Sequence, residues 1–78
     1  MAGIEVLVVG SGGREHALAL GLSKSDSVSK VHCTPGNAGT SMVAVNHQVP
    51  DTDLEGIVDL AIQLSVSLVV VGPEAPLV

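Results

Sequence analysis

The chain has 78 residues, enough for one small domain, and a formal net charge of −5, with Arg14, Lys24 and Lys30 as its only lysines and arginines. That balance excludes charge-driven binding to nucleic acid or to an anionic membrane surface, and the absence of Phe, Tyr and Trp removes the platforms on which unpaired bases stack. The apolar content comes instead from Val, Leu, Ile and Ala, which suit strands and helices packed in close layers.

Ile4 to Val9 is a short, β-branched, nearly continuous apolar run, the mark of a strand buried on both faces of a parallel sheet. Glu5 interrupts it and it is too short to span a bilayer, so it reads as neither a signal peptide nor a membrane segment. Gly10 ends the strand, and a helix is expected from about Arg14 to Ser23, carrying Ala17, Leu18, Leu20 and Leu22. Gly21 costs that helix about 1 kcal/mol relative to Ala, unless a close approach to the sheet requires it. After a polar turn at Ser25 to Ser27, a second strand runs from Ser29 to Thr34 and stops at Pro35. Cys33, at its end, is the single cysteine; it excludes an internal disulfide, fits a reducing compartment and gives a cytoplasmic expectation.

From Ser41 to Pro50 the pattern suggests one helical turn and then a short edge strand around Val45 to Val49. Thr52-Asp53-Leu54-Glu55 has capping-box spacing, with Thr52 as N-cap and Glu55 three residues on. Leu54, Ile57, Val58, Ala61 and Ile62 then give a helix with one apolar face, and Ser67 to Val71 reads as another buried strand. The alternation of strands and helices implies right-handed crossovers and an α/β fold: a partial parallel sheet with helices on both faces, Rossmann-like. The last strand is expected to leave an uncovered face and an unpaired edge, so residues 1–78 read as an incomplete domain.

Three loops follow the strands, and in an open α/β sheet such loops line one ligand crevice. In Gly10-Ser11-Gly12-Gly13, three glycines let the backbone approach a ligand where a helix amino terminus offers free N–H groups, which suits phosphate; the plain alternative is a tight packing turn. Arg14 adds two-pronged recognition of an anion, while Glu15 is either a ligand contact or a favourable first-turn charge. Gly10 and Gly12 fit the first positions of a dinucleotide fingerprint, but Glu15 occupies the third and no carboxylate follows the second strand. Pro35-Gly36-Asn37-Ala38-Gly39-Thr40 has little bulk and tolerates positive φ, so it can form a nest of N–H groups, with Asn37 and Thr40 offering side chains to sugar hydroxyls or phosphate. In Gly72-Pro73-Glu74-Ala75-Pro76 the two prolines stiffen the loop and fix the direction of Glu74. His16, Cys33 and His47 lack metal-ligand spacing.

Taken with the Leu77-Val78 that ends the third segment, the sequences GSGGREHA, PGNAGT and GPEAPLV resemble, in order and spacing, the amino-terminal region of the phosphoribosylamine–glycine ligase (glycinamide ribonucleotide synthetase) family, from Ile4 to Val78. The resemblance implies the domain that precedes an ATP-grasp module, and a ligase that activates glycine with ATP and Mg²⁺ as glycyl phosphate. The amine of 5-phosphoribosylamine attacks that acyl phosphate, giving glycinamide ribonucleotide, ADP and phosphate in purine biosynthesis. Carried over residue by residue, Gly12, Gly13, Arg14, Glu15, Gly36, Asn37, Ala38, Gly39, Thr40 and Glu74 would contact the phosphoribosyl substrate, with no catalytic residue and no metal ligand in this chain. ATP and Mg²⁺ would be held by an ATP-grasp portion that nothing here matches, so these residues are expected to be inert alone. Two other readings stay open: a nicotinamide-dinucleotide half-domain of an oxidoreductase, and a non-enzymatic flavodoxin-like module that binds a protein through its open edge.

Overall fold

A computed structural model describes residues 3–71. Four strands, β1 (Ile4–Gly10), β2 (Val28–Pro35), β3 (Val45–Asn46) and β4 (Leu68–Val71), form one parallel sheet in the order β3-β2-β1-β4. The helices are α1 (Gly13–Ser23) and α2 (Leu54–Leu64), with a 3₁₀ turn at Thr40–Met42. The chain therefore winds from β1 outward through β2 to β3, then crosses back to place β4 on the other side of β1. The reversal makes the carboxyl end of β1 the topological switch point of the sheet.

β1 is the central strand, and Val6, Leu7, Val8 and Val9 are buried irrespective of parity, as a strand covered on both faces requires. Val6 and Val8 join Val31, Cys33 and Ala19 under α1, while Leu7 and Val9 join Ile57 and Leu60 under α2. The two helices thus cover opposite faces, as expected. β3 is an edge strand as expected, but only Val45 and Asn46 pair with β2. Beyond them the Thr34 hydroxyl takes over from the ladder, donating to the Val49 carbonyl at 2.6 Å and accepting from its N–H at 3.1 Å.

The details of both helices differ from the sequence expectation. In α1 the fully buried apolar residue is Ala19, whereas Ala17, Leu18 and Leu20 are exposed and Leu22 is only partly covered. A small side chain at the contact lets the helix axis approach Val6, Val8 and Val31, and residues 15, 19 and 22 follow the i, i+4, i+7 row. Gly21 is exposed and a methyl built on it meets nothing within 4 Å, so close packing against the sheet does not account for it. In α2 the N-cap is Asp53 rather than Thr52: its carboxylate accepts from the Gly56 N–H at 3.0 Å, three residues on, which displaces the expected Thr52–Glu55 box by one position. The buried row is Ile57 and Leu60, with Ala61 and Leu64 beside it, while Leu54, Val58 and Ile62 face outward at more than half exposure (56%, 56% and 71%). α2 closes with Ser65 in the left-handed conformation (φ 55°), and the N–H groups of Ser65 and Val66 return to the carbonyls of Ile62 and Ala61. β4 pairs with β1 alone among the described residues, and Leu68, Val69 and Val71 remain substantially exposed, the open edge the sequence implies. No described helix is long and apolar enough to cross a membrane.

Candidate functional site

Register places the strand ends level: Gly10 lies opposite Pro35, and Val9 opposite Val71. The segments leaving β1 and β2 therefore emerge side by side, and they are bonded directly, with the Gly36 N–H donating to the Gly10 carbonyl at 3.1 Å. Glu74, with the rest of the loop after β4, lies outside the described residues.

Gly10 is the hinge of the first loop. It has a φ of 142°, and a Cβ there would fall within 2.5–2.7 Å of the Glu15 side chain. The absent side chain makes room for Glu15, which is fully buried. One Glu15 oxygen, Oε1, accepts from the Gly12 N–H at 2.8 Å, the reach of an N3 carboxylate back to the N-cap backbone. The other, Oε2, is buried and has no hydrogen-bond partner among the described residues, an acceptor that most folds would satisfy. Glu15 is thus a structural cap at the start of α1. With the Gly12 N–H engaged, the first-turn N–H groups of Gly13, Arg14 and Glu15 have no acceptor within the helix. Gly13 and Arg14 are exposed there, where the helix dipole favours an anion. Lys24 and Lys30 lie at the opposite, amino-terminal end of the sheet, since Lys24 caps the end of α1 and Lys30 is near the start of β2.

The second loop is a self-bonded unit. The Asn37 side chain donates from Nδ2 to the Ser11 carbonyl at 2.7 Å and to the Gly12 carbonyl at 3.2 Å, and its Oδ1 accepts from the Thr40 N–H at 2.9 Å. Both ends of this amide are thereby occupied within the protein, and they tie the second loop to the first. Thr40 is fully buried, and its hydroxyl accepts from the Asn37 N–H at 2.7 Å. Asn37 and Thr40 therefore hold the loop in shape, whereas the sequence suggested side chains offered to a ligand. Ala38 is exposed, Gly36 and Gly39 are half-buried, and Gly39 packs so closely on His16 that a Cβ would fall 2.5 Å from its Nδ1. Gly36 has a φ of 74° and stands against Asn46, conditions that only glycine meets.

Two features escaped sequence reasoning. Asn46, on the edge strand, reaches back into the second loop. On the α2 face of the sheet, the His32 Nε2 lies 2.8 Å from the Glu5 Oε1, and the His32 Nδ1 lies 3.0 Å from the His47 Nε2. A carboxylate within a two-faced strand was the one hint of this row. Burial pushes the His47 pKa down, and the neighbouring His32 and Lys30 charges push it the same way. The Cys33 thiol, free and buried, is pushed up by burial, with the Thr40 hydroxyl opposing and the Glu15 charge adding to the shift.

A glycine loop and a helix amino terminus at the switch point of a parallel sheet define a doubly wound α/β domain of the kind that takes its ligands outside the carboxyl ends of the strands. Residues 4–78 match the family model described as phosphoribosylglycinamide synthetase, N domain. The chain is 53% identical over 75 residues to the phosphoribosylamine–glycine ligase of Streptomyces coelicolor, an alignment covering 96% of this chain and 18% of that protein. It is 51% identical over 75 residues to the enzyme of that name from Mycobacterium tuberculosis, and 51% identical over 76 residues to that of a Nostoc species, with 18% of each relative covered. The chain belongs to the phosphoribosylglycinamide synthetase N-domain family, and it spans about a fifth of the length of these curated relatives.

Proposed function

We propose that these residues are the amino-terminal, phosphoribosyl-binding part of an ATP-dependent carbon–nitrogen ligase of purine biosynthesis, one that joins glycine to 5-phosphoribosylamine. The observation that carries the reading is the pairing of two bonded glycine-rich loops at one sheet switch point with family membership over residues 4–78. In this reading the substrate phosphate sits over the free N–H groups at the start of α1, with Gly12, Gly13 and Arg14 around it. The exposed side of the second loop (Gly36, Ala38 and Gly39) lies along the ribose. Asn37 and Thr40 keep that loop folded, and Glu15, buried beneath Gly10, shapes the floor. Glu74 is proposed to complete the same crevice.

The described residues do not fit the nucleotide or its metal. Arg14 is the only Lys or Arg at the loop end of the sheet, and no cluster of three metal-ligating side chains occurs among the described residues. ATP and Mg²⁺ are therefore assigned to an ATP-grasp portion outside this chain, and these residues alone are proposed to be inactive. The setting proposed is the cytoplasm.

The test is an assay of the complete gene product for ADP release with glycine, Mg²⁺-ATP and freshly made 5-phosphoribosylamine. Release that depends on both substrates, and that falls in Arg14→Ala through a raised KM for phosphoribosylamine, supports the assignment. A folded product that releases no ADP under these conditions overturns it.

A further inference from the structure

We infer that Asn46, on the edge strand and outside all three loop motifs, is the positioning residue that holds the second loop in its ligand-ready shape; this rests on the phosphoribosyl-binding reading above. Asn46 belongs to β3, where its backbone is paired with β2, so it is a fixed point relative to the sheet. From there its Nδ2 donates to the Asn37 carbonyl at 2.8 Å, and its Oδ1 receives the Thr40 hydroxyl at 2.8 Å. The amide orientation follows from chemistry: the Asn37 carbonyl is only an acceptor, so the NH₂ must face it. The same carbonyl already receives the Ser41 N–H at 3.1 Å, which leaves the single Thr40 hydroxyl proton for Asn46, although the Asn37 oxygen is also within 2.9 Å of it.

The consequence is a relay of fixed contacts. Asn46 sets Asn37 and Thr40, Asn37 sets the Ser11 and Gly12 carbonyls, and Gly12 begins the helix that would hold the phosphate. Asn46 also stands where a side chain on Gly36 would have to go, so it limits that glycine's neighbourhood from the outside. Without Asn46 the second loop keeps its internal bonds and the Gly36–Gly10 bond to β1 but loses its tie to the edge strand. Only a fraction of molecules would then present the binding shape, and affinity falls by that fraction.

Asn46→Asp is the discriminating variant. It preserves size but sets a carboxylate oxygen against the Asn37 carbonyl in place of a donor. The probe is ribose 5-phosphate, titrated into the complete gene product and followed by the amide resonances of Gly12, Gly13 and Gly36. Asn46→Asp is expected to weaken ribose 5-phosphate by about tenfold and to speed hydrogen exchange at the Thr40 amide. Leu60→Ala, far from the loops under α2, lowers stability without touching the relay and is expected to bind within about twofold of the parent. If the parent binds, Arg14→Ala weakens binding and Asn46→Asp binds like the parent, the role of Asn46 is refuted while the phosphoribosyl reading stands. If Leu60→Ala loses as much affinity as Asn46→Asp, the effect is general loosening and the inference falls. A parent that does not bind ribose 5-phosphate sinks the phosphoribosyl reading, and the inference with it.

Discussion

Replacing Thr40 with Val tests whether the second loop is held by hydrogen bonds or merely by bulk. Valine keeps the branched shape of the buried side chain and puts a methyl where the hydroxyl was, so it can neither donate nor accept. The Asn37 N–H then loses its acceptor at 2.7 Å, and the Asn46 Oδ1 loses its donor at 2.8 Å. An orphaned polar group costs about 1–3 kcal/mol, and because Asn37 and Asn46 are half-buried, water repairs part of the loss. The two together should cost about 2 kcal/mol, a large share of the roughly 4–12 kcal/mol expected for a chain of 78 residues. Thr40→Ser keeps the hydroxyl and deletes one buried methyl, a cost of about 1 kcal/mol. Urea unfolding followed by far-UV circular dichroism is the assay, since the chain has no aromatic residue to report by fluorescence. In an Asn46→Ala background the Thr40→Val penalty should shrink by about 1 kcal/mol, because one of the two partners is already gone. A Thr40→Val cost below that of Thr40→Ser, or strict additivity with Asn46→Ala, would refute the bonded account of the loop.

Two further outcomes follow from the structure. Gly21→Ala fills open space on an exposed helical position and should stabilise by about 1 kcal/mol, raising the melting temperature by about 4–8 °C; no gain in a thermal melt would show that Gly21 serves some contact not seen here. For His47, the folded pKa lies below its ordinary 6.5, so the unfolded chain binds the proton first as pH falls. Its contribution to stability is therefore present above pH 6.5 and lost as the pH drops through 6.5 toward the lowered folded value. Urea midpoints should fall less steeply below pH 6.5 in His47→Gln than in the parent, and identical profiles would exclude the histidine as the source.

The three long strands, both helices and the two glycine-rich loops are legible in the sequence because each rests on local chemistry. β-branched apolar runs permit little but strand, and glycines after a strand permit a turn that most residues forbid. The same local signals fail where several residues satisfy the same rule. Ala17-Leu18-Ala19-Leu20 is apolar around the whole turn of α1, so periodicity does not choose the face; contact with β1 and β2 chooses Ala19, the side chain small enough for close approach. Thr52 and Asp53 are both good N-caps, and the path of the chain out of Pro50 selects Asp53. α2 is apolar over two rows, and only its seat above Leu7 and Val9 decides that Ile57 and Leu60 go inside while Leu54, Val58 and Ile62 stay out.

The loops divide in the same way. Their composition alone determines that they can bend sharply and expose N–H groups, since Gly36 and Gly10 adopt φ values few other residues tolerate. Tertiary structure decided the rest: Glu15 went under Gly10 as a buried cap, Asn37 and Thr40 turned inward to hold the loop, and Asn46 and the row of Glu5, His32 and His47 came together across strands. The bonds of Asn46 and of the Glu5, His32 and His47 row join residues 6 to 27 positions apart and depend on strand order and register, and no local pattern encodes either.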